Sequence, residues 1–541
     1  MSTNNNNNDK NNNIVIIGSG LIGILTAYYL KIHTPNLKNK NIIIIDRQSK
    51  CAQETSYANA GRFCPSSISL SGSKKLMKKK DSSTSSSSTS SPFKLFIPTF
   101  ILKTKYMQEK NTNIDPFIPS NLQTFSSISI TPRLLYFGLF NIGFLQKFVQ
   151  SKYYMKPPLD TKSKARTILA KLAIENMNQV INNNDKYIKK HIQYNPGTLY
   201  LYGTNTQRDF YNTTKINTML DNGYKDTHTY PKHICYQLYP WLKTFKEHSG
   251  GYTFPGCSVV NHDWTADAYL FTTLIASKLI LNKQKDKDSN NVTFQYNTTV
   301  EKLIYEKTTP FTPKDVERKK CIGVSVTTGD ENIIIPCEKV IICAGINTPK
   351  FTEMKLPMHG MQGFSIDLLD CYSTEKGNGL PTVGIADQGS DQLYFQVTPY
   401  GNKRIRLVGF GNFTNNTTND STTLKHAEDV LLQYFQYSFP YIKYKSKRKI
   451  WNGIRPLSPD NFPIIGKDVK TSNVYINSGQ GPHGWTLSAM SGYLLSYIIN
   501  QEEDEGEKRG GDGNVGGKRD KVNTDVELLL KYVDPSRFYL F

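Results

Sequence analysis

Three glycines carry the first chemistry in the chain: Gly18, Gly20 and Gly23, in "GSGLIG". At this spacing glycine permits a tight turn, close approach of backbone to a pyrophosphate, and close packing of a helix on a strand. A buried apolar run at 14–17 precedes the turn and an apolar stretch of helical length, 21–32, follows it. Ser19, Leu21 and Ile22 complete a helix N-terminus that faces phosphate groups. A second apolar run, "NIIIIDR", ends at Asp46, where an acid binds a ribose hydroxyl about 20 residues beyond the glycines. A solvated strand-end acid is the alternative. Far along the chain, "KVIICAGINTPKF" (339–351) places Ala344 and Gly345 at a strand's carboxyl end, where open α/β sheets take their ligands. The alternative there is an ordinary strand-to-helix turn. Together these residues predict a dinucleotide site in a domain assembled from distant pieces.

The elements that must position them come from a chain of 541 residues, a length that suits one large domain or two intertwined ones. Strands and helices alternate outside several biased stretches, which predicts an α/β fold. Those stretches are the asparagine-rich tail 1–13, the low-complexity insertion 71–92, polar loops at 282–291 and 412–423, and the charged, glycine-rich stretch 501–522. Lys and Arg number 66 against 45 Asp and Glu, a formal charge of +21. Most lysines are dispersed, and the dense "KKLMKKK" lies beside a serine run, so the excess reads as solvated surface and not as a nucleic-acid site. No apolar run reaches the length of a membrane span. No secretory, mitochondrial or peroxisomal signal is read, and the cytoplasm is the expected compartment. The eight cysteines form no C-x-x-C pair and no Cys/His spacing suits a metal, so free thiols and no metal are expected.

At "QETSYANAGRFCPS" (53–66) the sequence resembles the D-amino-acid dehydrogenase branch of the FAD-dependent D-amino-acid oxidase-like oxidoreductases. The resemblance continues through "PGTLYLYGT", "GYTFPG", "DAYLFTTLIASKL" and "GMQGFSIDL". It is most specific at "GIRPLSPDNFPIIGK" (453–467) and "NVYINSGQGPHGWTLSAMSGYLLSYII" (473–499). It implies a Rossmann-like FAD-binding domain and a substrate domain built on a large mixed or antiparallel sheet. The expected boundaries are 14–70, 257–355 and 450–500 for the FAD domain, and 93–256 and 356–449 for the substrate domain. Residues 523–541 form a C-terminal segment.

The resemblance also implies roles. Gly18, Ser19, Gly20 and Gly23 hold the pyrophosphate, with Leu21 and Ile22 in the same turn. Asp46 holds the adenosine ribose, with Arg47 beside it, and Val300 meets the adenine through its backbone. Thr55, Ser56, Ala60 and Gly61 line the flavin side. Gly479, Gly481, Gly484, Trp485 and Thr486 wrap the flavin ring. Ala344 and Gly345 approach the cofactor.

The implied activity is oxidative deamination of D-amino acids to 2-oxo acids and ammonia, by hydride transfer from the α-carbon to flavin. An amino-acid carboxylate needs a buried partner, and arginine's planar fork gives it two charge-assisted bonds. Arg455, in the family's G-x-R-P position, takes that role; a structural arginine paired with an acid such as Asp460 is the alternative. Tyr394 either caps the carboxylate or lies in the core. His483 polarises the ring, contacts substrate, or is a loop histidine with neither role; here the run departs from the less polar bacterial pattern. No strong base is required if the amine binds neutral and aligned. No cysteine follows Cys371 and "SYANAG" holds no histidine, so dissociable, non-covalent FAD is expected. The electron acceptor is oxygen, a quinone or a carrier protein. Competing readings are an oxidoreductase of sarcosine, proline or a 2-hydroxy acid, and a non-catalytic basic binding protein on a flavin fold.

Overall fold

A computed structural model describes residues 12–34, 40–69, 159–184, 188–202, 209, 227–244, 256–281, 291–306, 318–375, 379–387, 395–414, 421–510 and 524–539. The tail to residue 11, the insertion 71–92, residues 282–290 and 415–420 of the two polar stretches, and Tyr394 lie outside the described residues.

The first strand, Asn13–Ile17, sits inside a six-stranded sheet between Asn41–Ile45 and Lys339–Ile342. Asn291–Gln295 continues the sheet on one side and Val474–Ser478 on the other, all parallel. Ile464–Lys467 closes the far edge antiparallel to Val474–Ser478. These strands are rich in Ile and Val because both faces are covered. Ile14, Ile16, Ile42 and Ile44 point into a core shared with residues of the helices Leu21–His33, Ala268–Leu281 and Gly484–Gly510. Val15, Ile17, Ile45, Val340 and Ile342 point the other way, onto Val324 and Val326. Those two valines belong to a three-stranded antiparallel sheet of Thr298–Tyr305, Cys321–Thr328 and Glu331–Pro336. The helices Leu21–His33 and Gly484–Gly510 meet so closely at Gly492 that a Cβ there would fall 2.6 Å from the Leu25 carbonyl oxygen.

The second sheet has ten strands. Gly256–Thr265, Asn195–Leu201, Gly384–Asp387, Gln396–Tyr400, Arg404–Phe413 and His359–Leu369 follow one another across it. Asn195–Leu201 and Gly384–Asp387 pair parallel and the other neighbours antiparallel. Trp451–Leu457 lies against His359–Leu369, and the short Arg62–Phe63 against the end of Gly256–Thr265. Helix Ser421–Ser438 buries Ala427, Leu431 and Phe435 in a core with Phe364 and Leu407.

The architecture is the expected one, a Rossmann-like sheet with a second, mixed sheet. The pairing differs from the expected boundaries in two places. Gly256–Thr265 and Trp451–Leu457, assigned by sequence mainly to the FAD pieces, hydrogen-bond into the ten-stranded sheet. A strand belongs to the sheet that satisfies its backbone groups, whatever its neighbours along the chain. The charged, glycine-rich stretch from 501, which on its composition is expected to be a flexible insertion, begins as helix, since Gly484–Gly510 runs through it. Its acids are anchored on the parallel sheet: Glu502 accepts from Tyr475 Oη at 2.7 Å and pairs with Lys467 Nζ at 2.5 Å, and Glu503 pairs with Lys339 Nζ at 2.6 Å. Residues 511–522 lie outside the described residues. No helix among the described residues is long and apolar enough to cross a membrane.

Candidate active site

The glycine turn follows directly from the first strand. Gly18 adopts φ +107°, and a Cβ on Gly23 would lie 1.9 Å from the Gly18 carbonyl oxygen, so only glycine lets the helix start this close to the turn. No side chain of the helix caps its own N-terminus. Instead Ser56 Oγ, from the 53–66 segment, accepts the Leu21 N–H at 3.0 Å. The early amides of Ile22 and Gly23 have no acceptor within the helix, as in any helix start. Asp46 ends the second strand as expected. Its Oδ2 accepts both the Ser19 N–H and the Ser19 hydroxyl at 2.7 Å, and its Oδ1 accepts from Gln48 N at 2.9 Å. Ser19 thereby ties the glycine turn to the acid that ends the second strand. Arg47 Nε pairs with Glu54 at 2.6 Å. Thr298 N–H donates to the Asp46 carbonyl at 3.0 Å, which brings buried Val300 to the same end of the sheet.

The strand Lys339–Ile342 delivers Ala344 and Gly345 beside the turn: a Cβ on Gly18 would meet the Cys343 carbonyl oxygen at 2.6 Å. Ser478 Oγ donates to the Gly345 carbonyl at 3.0 Å, tying this corner to the strand before Gly479. Thr55 Oγ1 donates to the Ile454 carbonyl at 3.0 Å, so the 53–66 segment touches the strand that carries Arg455. Leu457 and Gln480 form a β-bridge, which brings the turn around Gly481 alongside. Cys64 N–H donates to Thr486 Oγ1 at 3.0 Å, closing the ring of segments. Trp485 is turned inward, edge-on to Trp264 at 5.7 Å and Phe271 at 5.1 Å, and so packs the core behind the loop.

Arg455 is the site's most informative side chain. It has no hydrogen-bond or ion-pair partner among the described residues, and its Nη1 is buried. Burial pulls its pKa down to about 10. Room for the guanidinium is made by Gly363 on the paired strand, where a Cβ would stand 2.5 Å from Nη2. The alternative partner Asp460 is bound to Arg537 instead. His483 ends a short turn, its N–H donating to the Gln480 carbonyl at 3.1 Å. Burial first, then nearby Arg166 and Arg62, lowers its pKa to about 4, so the imidazole is neutral at ordinary pH.

Residues 13–498 match the family model DAO, described as FAD dependent oxidoreductase. The chain belongs to this family. The D-amino acid dehydrogenase of Vibrio vulnificus (strain YJ016) is 24% identical over 502 residues, covering 91% of this chain and 96% of that protein. The fold is shared with glycine oxidase from Bacillus cereus ATCC 14579 (TM-score 0.55, 15% identity, covering 91% of this chain and 95% of that one). It is shared also with L-proline dehydrogenase from P. horikoshii (TM-score 0.53, 14% identity, covering 91% and 94%).

The residues present fit the cofactor of an FAD-dependent family. Besides the helix start and the glycine turn, the positions a Cβ would take on Gly345 and Gly484 face open space, with nothing within 4 Å. Buried polar atoms without a hydrogen-bond partner among the described residues, Arg455 Nη1 and Tyr400 Oη, lie on two strands of the second sheet.

Sequence reasoning missed a buried charge network. Arg404 and Arg406, alternate residues of one strand, meet Asp367 and Asp267: Arg406 Nε lies 2.6 Å from Asp367 Oδ1, and Arg404 Nη2 lies 2.5 Å from Asp267 Oδ2. Burial raises the Asp367 carboxyl, but Arg406, then Arg404 and Arg448, outweigh it and hold the group below the usual range. The available signal was "RIRLVG", two arginines on one face of an otherwise apolar strand, which demands buried acids opposite. Arg62 was missed too. Its Nη2 donates to Tyr200 Oη at 3.1 Å, and Tyr200 donates to buried Asp263 at 2.8 Å.

Proposed function

We propose that this family member oxidises D-amino acids at the α-carbon, releasing 2-oxo acids and ammonia, with FAD held non-covalently between the glycine turn and the loops around 55–61 and 479–486. The observation that carries the reading is Arg455: a buried guanidinium with no acid of its own, on the strand bridged to the Gly481 turn. The likeness to a D-amino acid dehydrogenase over 91% of the chain supports it.

FAD, when bound, supplies the hydride acceptor. The chain's own residues orient the donor. The planar fork of Arg455 binds the substrate carboxylate through two charge-assisted bonds and so fixes the direction of the α-hydrogen. The positive charges of Arg62 and Arg166 near His483 disfavour an ammonium group, so the amine binds uncharged. No carboxylate base is then needed, and water hydrolyses the imino acid after it forms.

The test is anaerobic mixing of purified holoprotein with single D-amino acids, their L-forms, glycine, sarcosine, proline and D-lactate, following flavin absorbance. Bleaching by D-forms alone is the expected result. Bleaching only by another of these would replace the substrate, the fold being shared with glycine oxidase and L-proline dehydrogenase. Reoxidation by oxygen, a quinone or a carrier protein then assigns the acceptor. Acid precipitation is expected to leave a colourless pellet.

A further inference from the structure

The flavin-side loop is held by its carbonyl groups in an unusual way. The Ala58 carbonyl accepts from Ser365 Oγ at 2.6 Å, and the Asn59 carbonyl from Arg406 Nη1 at 3.0 Å. The Ala60 carbonyl accepts from Thr398 Oγ1 at 2.7 Å, and the Gly61 carbonyl from Ala266 N at 2.8 Å. Four successive carbonyls are thus bound by the second sheet or the residue that follows one of its strands.

In a trans peptide the N–H points opposite to the carbonyl of the same unit, and the described residues contain no cis bond. Fixing the carbonyls of Ala58 and Asn59 against the sheet therefore turns the amides of Asn59 and Ala60 away from it. The next amide, Gly61 N–H, is taken by Asn59 Oδ1 at 2.8 Å. The amides of Asn59 and Ala60 have no acceptor among the described residues, which leaves two aligned donors. Arg406 cannot drift. Its Nε and Nη2 hold Asp367 at 2.6 and 3.0 Å, and its guanidinium lies 5.2 Å from the Tyr400 ring centroid. Asp367 is held in turn by Arg404 Nη1 at 3.1 Å.

We infer that Arg406, clamped by Asp367, is a positioning residue for FAD: it sets the Asn59 peptide so that the Asn59 and Ala60 amides face the flavin as donors. The inference rests on the reading that residues 55–61 line the flavin. It makes the second sheet a determinant of cofactor affinity as well as of substrate recognition. Gly61 is part of the device, since at φ +64° a Cβ would lie 2.2 Å from Tyr400 Oη.

The experiment is FAD titration of the full-length apoprotein, read by flavin fluorescence, alongside thermal melting of the same apoproteins. Arg406→Lys keeps the charge but cannot grip Asp367 with two nitrogens and still reach Asn59. It is expected to weaken FAD binding about tenfold while the apoprotein stays folded. Ser365→Ala and Thr398→Val each remove one hydroxyl donor to a neighbouring carbonyl and are expected to weaken FAD by a few-fold. Lower apoprotein melting with unchanged FAD affinity of the folded protein would show a structural role and overturn the inference. If Arg406→Lys does not fold, the two hydroxyl variants decide by the same criterion. A parent protein that takes up FAD while every folded variant binds it equally well overturns this inference alone. A parent that takes up none overturns the FAD-site reading with it.

Discussion

Arg537 grips Asp460 with two nitrogens, Nε to Oδ2 at 2.8 Å and Nη2 to Oδ1 at 3.2 Å, so the acid nearest Arg455 along its loop is already taken. The C-terminal turn Pro535–Phe538 thereby locks the loop that follows the Arg455 strand. Both partners are almost fully buried, with side-chain exposures of 6% and 4%. Removing the charge from one leaves the other buried and unpaired. Asp460→Asn is expected to lower unfolding stability by about 3 kcal/mol, read as a shifted denaturant midpoint with unchanged slope. An unchanged midpoint would mean that the pair does not hold the loop.

That leaves Arg455 without an acid among the described residues, and the proposed function gives it the substrate carboxylate. Arg455→Met is expected to cut kcat/KM about a hundredfold or more, with FAD still bound. Arg455→Lys should recover little of it, because an ammonium cannot reproduce the fork. Wild-type kcat/KM in both variants would remove Arg455 from carboxylate recognition.

Gly363 offers a gentler probe of the same group. In Gly363→Ala the new methyl would stand 2.5 Å from Arg455 Nη2 and 2.6 Å from Nη1. The guanidinium is the free end of a long side chain, so it moves and the fold survives. KM is expected to rise several-fold, with apoprotein melting and FAD content near wild type. Unfolding instead of a KM effect would show that the guanidinium has nowhere to go.

Acid is expected to loosen the protein early. His483 and His359 both have pKa values lowered to about 4, His359 by burial and His483 by burial and then by Arg166 and Arg62. In the unfolded chain both titrate near 6.5. The unfolded state then binds more protons between those values, so the stability these groups contribute is complete above about pH 6.5 and drains away as pH falls toward 4. Melting temperature followed from pH 8 to 4 should drop through that window, and His359→Asn should flatten part of the drop. A flat profile would mean that neither imidazole is kept neutral by the fold.

Much of this architecture was readable in one dimension. The glycine turn, the acid at Asp46 and the small residues at Ala344 and Gly345 each follow from a local backbone need, and local needs leave a signature in residue type and spacing. The unbroken apolar runs 14–17 and 42–45 also announced strands buried on both faces. What could not be read depends on who meets whom across the fold. Nothing in "GIRPLSPD" says that Asp460 will choose Arg537, 77 residues further along the chain. Nothing in "ANAG" says that its carbonyls will be collected by Ser365, Thr398 and Arg406 on three strands of another sheet. The boundaries at 257 and 450 shifted for the same reason: a strand's allegiance is fixed by its hydrogen-bond partners.

The order of strands in the parallel sheet has a consequence for how the protein is made. Asn13–Ile17 and its glycine turn precede by more than 300 residues one of the strand's two neighbours, Lys339–Ile342, and beyond that lies Val474–Ser478. Until most of the chain has been synthesised, the first strand keeps an open apolar edge and the turn lacks the Cys343 wall against which Gly18 packs. Pairing strands so far apart in sequence closes a long loop before the contact is gained, which makes this sheet a late and slow step of folding.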